Sequence, residues 1–203
     1  DDPVSLYCKL SAECLPHPVA CLVTGITPQI ANAKGVIETE FCQRILKELS
    51  MPGTCTAGYN SIQFDDEFTR YLLYRNLRDP YAREWQNGNS RWDIIDLLRG
   101  AYALRPDGIQ WPRREDGHAS FKLQALTAAN KISHEHAHDA LSDVYATIEM
   151  AKLVQRYQPK FYHFAYSLRK KEQVARYLSV DKASPVIHVS SRYPAQHHNM
   201  AVV

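Results

Sequence analysis

Two acidic residues in this 203-residue chain stand where a strand or loop gives way to a helix-forming run. Asp65 follows Gly58-Tyr59-Asn60-Ser61-Ile62-Gln63-Phe64, and Asp143 follows His138-Asp139-Ala140-Leu141-Ser142. Carboxylates so placed bind divalent cations, and a histidine beside them can take a proton from water, which is equipment for phosphodiester hydrolysis. His138 and Asp143 are five residues apart, about 500° of rotation on a continuous helix, so they share no helical face. They meet if His138 sits just before the helix and Asp143 in its first turns. A two-metal site normally needs more carboxylates than these two.

Each feature has a plainer reading. Asp65 or Asp66 can cap the following helix, where the N-terminus favours an anion, and Asn60 can hold the turn by hydrogen-bonding across the strand end. His134-Glu135-His136-Ala137-His138 offers a zinc or nickel site from alternating imidazoles, or simply a solvated loop. Asp93 and Asp96, in Ser90-Arg91-Trp92-Asp93-Ile94-Ile95-Asp96, are read as capping and packing residues, not metal ligands. Arg70, Tyr71, Tyr74, Arg75, Arg78, Tyr81, Arg83 and Trp85 interleave charge with aromatic faces. They are suited to phosphates and stacked bases, although half of them must face the core.

Elements follow from periodicity and punctuation. A strand-like Val4–Cys8 leads through Pro16 and Pro18 to a helix start with Thr27 as N-cap and Pro28 at its first position. Helical spacing runs over Ile37–Leu49, a strand over Cys55–Asn60, and helices from Asp66 to Arg75, Ile94 to Tyr102 and Phe121 to Ala129. Arg105–Gly117 reads as a loop. The helix after His138 is expected to turn Leu141, Val144, Ile148 and Ala151 inward. A basic helical stretch (Arg169 to Arg176) and a strand, Val186–Val189, follow Pro159. Strands alternating with helices predict an α/β architecture.

Composition narrows the class without deciding it. The chain is 45% hydrophobic and 23% charged with a net charge of +2, ordinary for a globular domain and silent on nucleic acid. No apolar run approaches a membrane span and no signal peptide is recognised. The cysteines, Cys8, Cys14, Cys21, Cys42 and Cys55, are odd in number and form no Cys-x-x-Cys. They read as reduced thiols of a cytoplasmic protein.

Several segments taken together resemble a known family. Asn60 through Phe64-Asp65 and His138-x4-Asp143 resemble the second and third motifs of the DEDDh, or DnaQ-like, 3′–5′ exonucleases. More narrowly, five segments are similar to bacterial exonuclease I. They are Leu22–Pro28, Gly58–Glu67, Asn89–Asp93, Tyr102–Pro106 and Ala137–Thr147, and the likeness runs from about residue 4 to residue 190. The resemblance implies an RNase H-like fold and a DNA-repair-type nuclease that removes 5′-mononucleotides from the 3′ ends of single-stranded DNA. It implies two Mg2+ ions, with Mn2+ as a substitute, held by Asp65 and Asp143, and a water activated by His138. Thr24, Gly25 and Ile26, with Asn60 and Phe64, become the expected substrate contacts. A single-stranded DNA-binding protein is the expected partner, and a monomer without membrane contact is the expected state.

The family's first motif, Asp-x-Glu, is expected to precede residue 1, and Glu38-Thr39-Glu40 on a polar helix face is no replacement. The chain therefore reads as a fragment, inactive alone, with an exonuclease domain over 1–160. Residues 161–203 read as a connecting helix and the beginning of an SH3-like domain, the family pattern fading over 192–203. Two other functions remain open from the residues: a non-catalytic module that binds nucleic-acid ends, and a 3′–5′ exoribonuclease.

Overall fold

The computed structural model describes residues 2–134, 140–179 and 181–203. Helices α1 (Pro18–Thr24) and α2 (Pro28–Lys34) lead into α3 (Glu38–Leu49). Thr27 caps α2 by accepting from the Ile30 amide, with Pro28 behind it, as the sequence predicts. The Val4–Cys8 run forms only an isolated parallel bridge, Cys8 to Val36, among the described residues.

The central sheet consists here of two parallel strands, β1 (Cys55–Gly58) and β2 (Ser90–Asp93), in register from Cys55 opposite Ser90 to Gly58 opposite Asp93. A helix, α4 (Asp65–Arg75), and a short 3-10 turn (Ala82–Glu84) connect them. Both strands end on the same edge of the sheet, which is where open parallel α/β sheets place their sites.

Directly after β2 comes α5 (Ile94–Leu104), whose Ile94, Leu97, Leu98 and Ala101 are buried. This helix is the centre of the core. Leu126 of α6 (Leu123–Ala129) and Met150 and Val154 of α7 (Ala140–Tyr157) pack on it. A further helix, α8 (Pro159–Ser167), adds Phe161, Tyr162 and Ala165. The boundary expected at 160/161 falls inside this helix. Trp92 meets the edges of Tyr162 and Tyr166 at 5.2 and 5.1 Å, and Arg169 Nε donates to Ser90 Oγ at 3.1 Å. The end of α8 is thereby fixed to β2. A short α9 (Lys171–Ala175) precedes an antiparallel pair, β3 (Ile187–Val189) and β4 (Met200–Val202).

The inward face of α7 differs from expectation. Ala146, Thr147, Met150 and Val154 are buried, whereas Val144 and Ile148 are 52% and 42% exposed. The helix carries apolar residues around most of its circumference, so periodicity cannot select one stripe. Packing against α5, α6 and α8 selects the face that carries Ala146, Met150 and Val154, with Ala151 of the expected stripe also packed on the core.

Charge is buried beside the sheet in a paired network. The side chains of Asp66 and Arg83 are 5% and 2% exposed and meet at 2.6 Å. Arg91 reaches Asp66 at 2.7 Å and Glu84 at 3.0 Å, and Arg70 forks onto Glu84 at 2.8 and 3.0 Å. This network joins the first turn of α4 to the 3-10 turn and to β2. Arg83 cannot re-hydrate without unfolding, and Asp66→Ala leaves it only the longer contact to Glu84, at 3.9 Å, to offset its buried charge. Urea titration should register a loss of about 3–5 kcal/mol for that variant.

Candidate active site

The turn between β1 and α4 is held from below by one carboxylate. Asp93, 4% exposed, accepts from the Asn60 amide at 2.8 Å and the Ile62 amide at 3.1 Å. It also accepts from the Ile95 amide at 3.2 Å, capping α5. Burial pushes its pKa up, against the pull of these amide donors. The capping reading of Asp93 is thus correct, and a second role in clamping the turn comes with it. Asn60 takes a positive φ of 58°, a conformation that asparagine tolerates better than most residues. Gly58 leaves the space: a Cβ there would stand 2.7 Å from Ser61 Cβ.

The clamped turn delivers Phe64 and Asp65 to the start of α4. Phe64 occupies the N-cap position without a side-chain cap, so neither Asp65 nor Asp66 caps the helix as expected. Phe64 is 59% exposed and its ring lies 4.7 Å from that of Phe68. Asp65 is exposed on one side, but protein crowding on the other desolvates it and raises its pKa; Asp66 adds to this and the helix amide opposes it. Asp66 is committed to Arg83 and Arg91.

Asp143 lies in the first turn of α7. His134 meets it, with Nε2 2.7 Å from Asp143 Oδ1, and the His134 ring is nearly buried, 5% exposed. Sequence reasoning had passed over His134 as one of a row of histidines. It follows α6 by a turn in which Lys131 takes a φ of 57° and the Ile132 amide bonds back to Thr127 O at 2.9 Å. That helix stop is the signal that places it. His138 and His136 lie outside the described residues, and His134 is already engaged with Asp143, so the alternating-imidazole zinc site gains no support.

Thr24, Gly25 and Ile26 form the end of α1. Thr24 Oγ1 donates to Ala20 O at 2.8 Å and accepts from the Ile26 amide at 3.2 Å. Gly25 is left-handed at φ 69° with open space around it, and Ile26 is 39% exposed. Their bonds among the described residues are local. Of the basic–aromatic run, Arg70 and Arg83 are spent on Glu84 and Asp66 and Arg75 on Glu38. Tyr71, Tyr74, Tyr81 and Trp85 keep faces 54–71% exposed. A cleft of about 420 Å3 lies between the Asn60–Gln63 turn, the start of α5 and Ser190–Arg192. Gln63 hydrogen-bonds Ser191 across it.

The donor set is hard oxygen, the type that suits magnesium or manganese. Among the described residues no group of three or more histidine, cysteine or acidic side chains is assembled for a metal. Asp65 and Asp143 fit a divalent cation by type and would supply only part of its coordination shell.

Folding raises the Asp65 pKa above the roughly 3.9 of an unperturbed aspartate. The stability contributed by its protonated form is complete below that value and lost as pH rises through the folded-state pKa. At neutral pH the ionised carboxylate works against the fold. Asp65→Asn should therefore melt no lower than the parent at pH 7, with any advantage vanishing toward pH 3, as followed by calorimetry.

Residues 1–151 match the RNase_T family, described as exonuclease. Exodeoxyribonuclease I of Haemophilus influenzae is 51% identical over 189 residues, covering 93% of this chain and 40% of that protein. The Escherichia coli K12 Exodeoxyribonuclease I is 48% identical over 202 residues, 100% of this chain and 42% of that protein. The solved structure of E. coli Exonuclease I in complex with a dA16 oligonucleotide superposes with a TM-score of 0.95 at 48% identity, over 100% of this chain and 43% of that one. The chain thus spans about 40% of the length of these curated relatives. The α/β layers around α5 are those of an RNase H-like exonuclease domain, and the chain belongs to the exonuclease family.

Proposed function

We propose that this chain is the nuclease portion of an exodeoxyribonuclease that shortens single-stranded DNA from its 3′ end, releasing 5′-mononucleotides. The observation that carries the reading is the 0.95 TM-score against E. coli Exonuclease I over the whole chain. It is supported by Asp65 at the start of α4 after an Asp93-clamped turn and by Asp143 in the first turn of α7. Both lie in a chain 48% identical to a protein solved with an oligonucleotide.

Asp65 and Asp143 are read as the metal-holding carboxylates, with Mg2+ as the natural ion and Mn2+ as a substitute. A solved structure of E. coli ExoI bound to single-stranded DNA contains a zinc ion, which supports a divalent site. Bound there, such ions would supply Lewis-acid stabilisation and a nucleophilic hydroxide at neutral pH. His138 is read as the residue that takes the proton from that water. Asn60, Phe64, Thr24, Gly25 and Ile26 would position the terminal nucleotide, Phe64 through its exposed ring. Exposed Tyr71, Tyr74, Tyr81 and Trp85 offer stacking faces to neighbouring bases. The Asp-x-Glu pair of the family pattern supplies the remaining carboxylates in this reading.

The exonuclease unit is assigned to 1–160. Residues 161–203 are assigned to a connecting helix and the start of an SH3-like unit, to which the β3–β4 pair would belong. Another solved structure is an ExoI/SSB-Ct complex, which supports a single-stranded DNA-binding protein as partner. A cytoplasmic monomer is part of the same reading. All five cysteines are free, and burial pushes the Cys8 and Cys42 thiols up, away from reactivity. Among the described residues, no helix is long and apolar enough to cross a membrane.

The test is nucleotide release from a 3′-labelled single-stranded DNA oligomer, with Mg2+ and with EDTA. This chain is run beside a version extended at its N-terminus by an Asp-x-Glu strand. The extended protein should cut DNA in preference to RNA, and EDTA should stop it. Asp143→Asn in it should lower kcat by about 10^3-fold, as expected for losing a carboxylate whose bound ion contributes several kcal/mol. Binding without release in the extended protein would replace this reading with an end-binding module, and a preference for RNA would replace it with an exoribonuclease.

A further inference from the structure

We infer that His134 is a positioning residue for metal binding, orienting the Asp143 carboxylate from behind. The inference rests on the proposed role of Asp143 as a metal ligand, and the geometry that carries it is independent of the family pattern. The His134 ring is nearly buried, 5% exposed, while the Asp143 side chain remains 43% exposed. One member of the pair thus faces protein and the other faces solvent. With Nε2 at 2.7 Å from Oδ1, the ring nitrogen donates and the carboxylate accepts.

The far side of the ring is held as well. His134 Nδ1 lies 3.3 Å from Thr127 Oγ1, and Thr127 is 1% exposed. With Nε2 donating to Asp143, Nδ1 of the neutral ring accepts the single Thr127 hydroxyl proton, for which Leu123 O and Gln124 O, each 3.0 Å away, are the alternative acceptors. The hydroxyl, the imidazole and the carboxylate therefore form a line running from the interior of α6 to the exposed start of α7. Each link restricts the rotation of the next. With Oδ1 committed to the imidazole, the Asp143 carboxylate is held in one orientation, and its second oxygen, Oδ2, has no partner among the described residues and can face a cation. Ring donors behind a ligating carboxylate play the same part as the outer-shell partners of ligating histidines, whose loss typically costs 10–100-fold in metal affinity.

The fixed orientation saves the cation the entropy of immobilising a carboxylate that would otherwise rotate freely. A histidine kept only for packing would contribute to melting temperature but not to metal affinity. Direct metal binding separates the two roles.

The experiment measures Mn2+ binding without DNA, by the electron paramagnetic resonance signal of the free ion, in the full-length protein that carries this chain. His134→Phe keeps the ring volume and removes the donor. It should raise the Mn2+ dissociation constant 10–100-fold while far-UV circular dichroism is unchanged. His134→Gln, which restores an N–H donor, should recover most of the affinity. Thr127→Val, nearly isosteric, should raise the constant by a smaller factor through release of the ring, and this variant decides the matter should the Phe variant fail to fold. Unchanged Mn2+ affinity in His134→Phe, or in Thr127→Val where that variant decides, overturns the inference. Asp143→Asn serves as the reference. If it leaves Mn2+ binding untouched, the ligand role of Asp143 fails, and the inference falls with it for that separate reason.

Discussion

A single buried carboxylate organises the site end of this fold. Asp93 closes β2, caps α5 and holds the Asn60–Ile62 turn by accepting backbone amides from each side. Among the described residues it has no cationic partner, only N–H dipoles, which satisfy its lone pairs without adding a bulky side chain. Without it the half-buried amides of Asn60 and Ile62 would lose the carboxylate that fixes the turn, at a cost of up to about 1–3 kcal/mol each where water does not replace it. The direction in which α4 leaves the sheet, and so the place where Asp65 arrives, depends on that clamp.

The acidic residues around the site divide their work by burial. Asp66, one residue beyond Asp65, points inward and is neutralised by Arg83 and Arg91. Asp65 points outward, is desolvated on one side and has no arginine partner in the described ion pairs. Successive residues of a helix start lie about 100° apart, so adjacent aspartates fall naturally into an interior and an exterior environment. The interior one anchors the helix to β2 and the 3-10 turn, which leaves the exterior one free to meet a ligand. Asp143 repeats the pattern at α7 with a different anchor, His134, which draws on the interior of α6.

The basic–aromatic segment after α4 illustrates how charge can mislead when read along the chain. Arg70, Arg75 and Arg83 look available for phosphate, yet each has an acidic partner within the fold. What remains on the surface is largely aromatic, Tyr71, Tyr74, Tyr81 and Trp85, beside the exposed Arg78. Exposed rings of this kind are suited to stacking on bases.

Local signals carried much of the architecture. Thr27-Pro28 marked the start of α2, the Phe41, Ile45 and Leu49 spacing marked α3, and Asp93 before an apolar run marked the cap of α5, because caps and periodicity are encoded within a few residues. The placement of Asp65 and Asp143 at helix starts was equally local. The inward face of α7 was not, because a helix apolar on most sides can bury more than one stripe and only the positions of α5, α6 and α8 choose between them. Nor were the partnerships of Asp66 with Arg83, of Asp93 with the Asn60 turn, or of His134 with Asp143. Each joins side chains or amides nine to 33 positions apart along the chain. Residue type shows only that a group can pair; which partner it takes is settled when packing brings two desolvated groups within hydrogen-bonding distance.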